Sequence, residues 1–162
     1  MCGFMKKDIN KCIEIYKRQL EDGNIQSAYR ALIKYIAELK AKFPNKYKTG
    51  YTSPGYLDYT YFPFFNDYLR AHKLRFGVIL NHREMKFELW LMGQNASVQK
   101  EYWEVLKETK WNEGVKTMPK YSVLELPLID KLDFENKERM TIQILGQAID
   151  LAKEVQAYLE KA

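Results

Sequence analysis

Apolar positions along the chain recur at helical spacing, then in alternation, then at helical spacing again. Ile9, Cys12, Ile13, Tyr16 and Leu20 define a first amphipathic stripe behind the capping residue Asp8. Asp22-Gly23-Asn24 interrupts it, and Ile25, Ala28, Tyr29, Leu32, Ile36, Leu39 and Phe43 carry a second stripe up to Pro44. The pattern predicts a helical hairpin over residues 1–44, its two apolar faces buried against each other or against the rest of the domain. The GNIQSAYRAL segment resembles one unit of a helical repeat, but no second copy follows.

Residues 45–55, rich in Lys, Tyr, Ser, Pro and Gly, read as a surface loop. Tyr56 to Phe62 alternates in a β-compatible way and is expected to stop at Pro63, with a short helical or irregular connection over residues 64–69. LRFGVIL at 74–80 and KFELWLM at 86–92 flank NHREM and give the strongest hairpin signal in the chain. Val98, Tyr102, Val105, Leu106 and Thr109 make a helical face with Trp103 beside it. YSVLELPLI at 121–129 is a strand that Pro127 assigns to an edge or bulge. Leu145, Ala148, Ile149, Ala152, Val155 and Leu159 mark a long terminal helix. The expected fold is α+β: the helical hairpin, a three-strand unit, a helix, a strand and a C-terminal helix, with a mixed sheet and helices packed against it. With no internal break, residues 1–162 are expected to form one domain, with 1–44 a hairpin packed on it.

Composition adds bounds. The 162 residues suffice for a sizeable core, and 46% hydrophobic with 29% charged residues is ordinary for a globular chain. Twelve Tyr, eight Phe and three Trp supply apolar bulk with polar handles. No apolar run is long enough to span a bilayer and no signal-like segment is present, so cytoplasmic residence without a membrane partner is expected. Cys2 and Cys12 make no disulfide or metal pattern and are expected to be ordinary thiols. The +5 net charge is uneven: residues 1–50 hold 11 Lys/Arg against 5 Asp/Glu, whereas the remainder is near neutral. A moderate lysine excess also solvates a helix, and Glu101, Glu104 and Glu108 interrupt Lys100, Lys107 and Lys110, so nucleic acid is disfavoured as a partner.

Candidate chemistry lies in the strands. Alternation sets Lys86, Glu88, Trp90 and Met92 opposite Phe87, Leu89 and Leu91, and Arg75 opposite the apolar set of its own strand. Tyr56, Asp58, Thr60 and Phe62 share one face of the first strand. If these sets align, Asp58, Arg75, Lys86, Glu88 and Trp90 line a mixed polar and aromatic surface suited to binding an unknown small molecule or protein. Cross-strand charge pairing that serves stability alone is the bland reading of the same residues. A helix, three strands, a helix and a strand also resembles the core of the restriction-endonuclease-like fold, which implies a metal-dependent phosphodiesterase as the enzyme alternative. Asp58 and Glu88 would then hold a divalent ion such as Mg and Lys86 would offset developing charge. Here Lys86 precedes Glu88, and the acid-x-lysine order occurs only at Glu84-Met85-Lys86. No cofactor is called for otherwise. His72 and His82 have no metal-ligand spacing, and no nucleophile elbow or phosphate loop is present. Self-association as a homodimer is expected if the Pro127 edge or the aromatic stretch 51–65 stays exposed.

The segments IYKRQLEDGNIQSAYRAL, LDYTYFPFF, LRFGVILNHREMKFELWLMG and VQKEYWEVLKETKWN resemble an uncharacterised family of small bacterial proteins, a conserved domain of unknown function. The resemblance covers nearly the whole chain. It implies a bacterial cytosolic domain and supplies no activity or catalytic residues.

Overall fold

The computed structural model describes residues 7–162, so the expectation for the Cys2 thiol lies outside the described residues. The chain forms two compact units, Met1–Tyr35 and Ile36–Ala162. In the first, helix α1 (Ile9–Glu21) starts where the Asp8 carboxylate accepts the amides of Asn10 and Lys11. It ends at Asp22, before Gly23 with φ +74°, and α2 (Asn24–Ala41) follows to complete the N-terminal helical hairpin. The apolar stripe of α1 departs from expectation. None of its residues is buried, and Ile9, Ile13 and Tyr16 stand exposed.

The second unit is built on a five-stranded sheet: β1 (Lys48–Thr49), β2 (Tyr59–Phe65), β3 (Leu74–Asn81), β4 (Lys86–Gly93) and β5 (Leu124–Ile129), in that spatial order. Every pairing is antiparallel, which corrects the expected mixed sheet. The cause is connectivity. The loop Asn81 to Lys86 joins β3 to β4 directly, and no crossover returns a strand in the same direction. β5 forms one edge, in keeping with Pro127. The other edge is the two-residue β1, within a stretch expected to be all loop.

β2 lies three residues further along than the pattern indicated, because Pro63 does not stop it. The Pro63 carbonyl accepts the Gly50 amide at 2.9 Å, so the nitrogen that lacks a proton also faces the β1 side, where the ladder is almost finished. Pairing with β3 loses nothing. Gly50 is required for this approach, since a Cβ there would meet Pro63 Cγ at 2.6 Å.

One face of the sheet is the core. Phe62 and Phe64 of β2, Phe76, Val78 and Leu80 of β3, and Phe87, Leu89 and Leu91 of β4 are all essentially without solvent exposure. Helices α4 (Ala96–Leu106) and α5 (Lys137–Lys161) pack on the sheet, as does α3 (Asp67–Ala71) at the end of β2. Phe43 beyond the end of α2 meets Phe64 at a tilt with ring centres 4.4 Å apart, and Phe64 stacks on Phe76 at 5.5 Å. The buried face of α4 comprises Val98, Gln99, Trp103 and Leu106, so Trp103 is in the core and Val105 is exposed, a rotation from the expected stripe. On α5 the buried line runs Met140, Ile144, Ala148, Ala152, Val155 and Leu159, with Ile142 outside. The Trp111 ring, on the turn after α4, meets Tyr158 of α5 edge-on at 5.5 Å.

Replacement of Phe64 by Ala removes a ring that touches Phe43, Tyr47 and Phe76. We expect a loss of about 3–5 kcal/mol in urea unfolding. A loss below about 1 kcal/mol would show that this aromatic cluster does not hold β1, β2 and β3 together.

Candidate functional site

The other face of the sheet carries the chemistry. Register brings Tyr59 opposite Asn81, Tyr61 opposite Ile79, Ile79 opposite Glu88, Gly77 opposite Trp90, and Trp90 opposite Glu125. These side chains therefore project from one surface. Ile79, Trp90 and Met92 form a small apolar cluster there, against which the half-buried Tyr59 and Tyr61 pack. The Tyr59 ring meets Trp90 edge-on at 4.8 Å. Gly77 makes room, because a Cβ would approach Met92 Cε to 2.7 Å.

Polar groups border this cluster. Glu88 is 8% exposed and uses both oxygens: Oε2 accepts the Trp90 indole N–H at 3.2 Å, and Oε1 pairs with Lys86 Nζ at 3.2 Å. Lys86 Nζ also lies 2.6 Å from Glu84 Oε2. The Glu84 hydrogen bond, followed by that of Glu88, raises the Lys86 ammonium above its ordinary value, and the same bond lowers Glu84. Glu125 accepts the Ser122 hydroxyl at 2.7 Å. Desolvation raises its carboxyl despite its exposure, helped by the Glu88 charge and opposed by Ser122 and Lys86. The Tyr59 phenol is raised by desolvation, then by the surrounding carboxylates, of which Glu125 acts most strongly.

Of the residues expected to converge, Lys86, Glu88 and Trp90 are brought together. Arg75 shares their face but stands opposite Met92, four residues along β3 from the partner of Glu88, a separation of about 13 Å. Asp58 precedes β2 and turns its carboxylate onto its own backbone, accepting the amides of Tyr56 at 2.8 Å and Tyr59 at 2.7 Å. The residues that share its parity, Thr60 and Phe62, are fully buried on the helix-covered side. Glu125, Tyr59 and Tyr61 belong with the cluster instead. Glu125 was legible as the lone charge between Leu124 and Leu126, had the alternation of β5 been carried onto the same surface. Among the described residues, no group of three or more His, Cys, Asp or Glu side chains is placed to hold a metal ion, so the Asp58/Glu88 metal pair gains no support.

The segment before β2 is tightly framed. Ser53 and Tyr61 exchange backbone hydrogen bonds, the His82 amide donates to the Asp58 carbonyl, and the buried Thr60 hydroxyl donates to the Pro54 carbonyl at 2.7 Å. Because the single Thr60 proton is committed to Pro54, the 2.7 Å contact to His82 requires His82 Nε2 to be the donor. Desolvation lowers the His82 imidazole, with the Asp58 charge opposing. Gly55 has φ +68°, and a Cβ there would lie 2.1 Å from the Tyr59 carbonyl oxygen. On this frame Tyr51 and Tyr56 are 96% and 95% exposed and Leu57, at φ 62°, is also open to solvent.

Fold and surface together define an α+β domain with one helix-covered sheet face and one aromatic, acid-rimmed face. Residues 9–159 match the family described as a domain of unknown function, DUF7000. The chain belongs to that uncharacterised family of small bacterial proteins. No curated protein and no solved structure matches it. Among the described residues, no helix is long and apolar enough to cross a membrane.

The amides of Tyr56 and then Tyr59 hold the Asp58 carboxyl below its ordinary value of 3.8. A depressed carboxyl stabilises the fold above that value, and the contribution is lost as pH falls through the folded-state value. Asp58→Asn is therefore expected to lower the unfolding free energy at pH 7, by less than about 1 kcal/mol in a solvent-screened setting. The difference from wild type should vanish in strong acid. An undiminished difference there would mean that charge plays no part in holding the turn.

Proposed function

We propose that this protein is a non-catalytic binding domain, and that its contact surface joins the aromatic loop 51–57 to the face bearing Tyr59, Tyr61, Lys86, Glu88, Trp90 and Glu125. The observation that carries the proposal is the pairing of a fixed backbone with uncovered side chains at Tyr51 and Tyr56. A bound partner would gain aromatic contact area without first having to order the loop. Asp58 serves as the brace of that loop.

Charge indicates the partner. Glu84, Glu88 and Glu125 outnumber Lys86 and Arg83 at the hairpin end of this face, which favours a protein segment carrying basic and apolar side chains. Lys86 is already satisfied by two carboxylates. It would fix the orientation of Glu88 in this role, and proton transfer is not required of any residue.

Selection from a displayed peptide library, followed by titration of the enriched peptides, tests the reading. Ligands rich in Lys or Arg with aromatic or aliphatic neighbours are expected. Tyr51→Ala/Tyr56→Ala should weaken them at least about tenfold with Tm retained, and Glu125→Lys should weaken the basic ligands selectively. Gly55→Ala keeps every aromatic but breaks the frame, so it should also weaken binding. Enrichment of acidic peptides, or equal affinity in the double variant, would overturn the proposal. Light scattering that shows a dimer dissolved by Tyr51→Ala/Tyr56→Ala would make the partner a second copy of the chain.

A further inference from the structure

At the other end of the sheet, away from Glu88, the turn from α3 into β3 faces the exit of β4. Between them lies a cleft of about 210 Å³ lined by Phe65, Arg70, Lys73, Leu74, Arg75 and Gln94. Three of the six side chains are cationic and none is acidic. The described ion pairs include none of the three cations, and Asp67, one turn back from Arg70 in α3, pairs with none of them. Three uncompensated cations around a partly apolar hollow repel one another unless an anion enters.

The cleft is also shaped in advance. The Gln94 amide donates to the Lys73 carbonyl at 2.9 Å, which ties one wall to the other. The Arg70 guanidinium stands 5.8 Å from the centre of the Phe65 ring, a cation–π contact that steadies its planar fork. Leu74 is 3% exposed and Phe65 half-buried, so the base is apolar and fixed. Lys73 has φ 57°, in the left-handed region. Chain reversal after a helix ordinarily assigns this conformation to Gly or Asn. Lys73 lines the cleft from this strained backbone.

We propose that this cleft binds a small phosphate monoester with an apolar body. Two guanidinium forks and one ammonium suit a phosphate dianion better than a lone carboxylate, since Arg reads phosphate oxygens in pairs and Lys adds a point charge. Phe65 and Leu74 take the apolar portion, and Gln94 supplies a neutral hydrogen-bonding group. The hollow is smaller than pockets for drug-sized molecules, which limits the ligand to a compact one. The site is independent of the peptide surface proposed above and uses none of its residues.

Calorimetric titration of the full chain with phenyl phosphate, inorganic phosphate and benzoate provides the test. Saturable one-to-one binding is expected for phenyl phosphate, with weaker binding of the other two and affinity that falls as salt rises. Arg75→Gln is a change at an exposed position and should leave Tm intact. It should weaken phenyl phosphate roughly ten- to hundredfold, whereas Lys110→Gln elsewhere on the surface should change nothing. In wild-type protein, amide chemical shifts on titration should centre on residues 73–75 and 94, which keeps the test valid if a variant misfolds. Absence of saturation at millimolar phenyl phosphate, equal affinity in Arg75→Gln, shifts centred elsewhere, or preference for benzoate would each overturn the proposal.

Discussion

The register of β4 between β3 and β5 is the constraint on which both halves of the sheet depend. In KFELWLM, Phe87, Leu89 and Leu91 enter the core with no measurable exposure, which obliges Lys86, Glu88, Trp90 and Met92 to point the other way. A slip of one residue would drive a glutamate and a lysine beneath the helices, at a cost of several kcal/mol per unpaired charge. The packing that folds the domain therefore also fixes its aromatic and acidic surface. Glu88 shows the coupling most directly, since it is buried on that outer face and satisfied by neighbours of its own strand, Lys86 and Trp90.

The central hairpin was legible to within one residue because strong alternation on both strands and a polar five-residue loop point to the same pairing. Edge position for β5 followed equally from Pro127. What failed was information that lies between strands. The alternation of β2 separates Tyr59 and Tyr61 from Thr60 and Phe62, but both sets mix aromatic and hydroxyl groups. Only the pairing with β3 decides which set faces inward. Asp58 was assigned to a strand because the alternation from Tyr56 to Phe62 runs through it. The strand begins only at Tyr59, because the Asp58 carboxylate turns back onto the amides of Tyr56 and Tyr59 and becomes a brace. It runs on to Phe65 because the missing amide proton of Pro63 faces the nearly exhausted β1 ladder. The stripe of α1 was read correctly as amphipathic, yet periodicity specifies a face and says nothing about what meets it.

The described non-glycine residues with positive φ are Leu57, Lys73 and Met85. Each costs of the order of 1 kcal/mol relative to a relaxed backbone. Leu57 lies in the framed aromatic loop, Met85 in the β3–β4 loop beside Glu84, and Lys73 at the rim of the cationic cleft. Strain of this kind persists where surrounding bonds over-determine the backbone, as Asp58 and the Thr60–His82 contact do for the loop. The same inventory separates two electrostatic regions on one molecule: acidic groups gather at the hairpin end of the sheet, and unpaired cations at the opposite end.

Pro127 has an implication for the sheet as a template. An unprotected outer strand invites a stranger to extend the ladder, the first step toward cross-β fibres. β5 presents a position with no amide proton, next to a register irregularity against β4 and two residues from an outward carboxylate at Glu125. An incoming strand would meet a broken row of donors and a charge. Extension of the ladder at this rim is thereby disfavoured, which limits chain-to-chain pairing from this side.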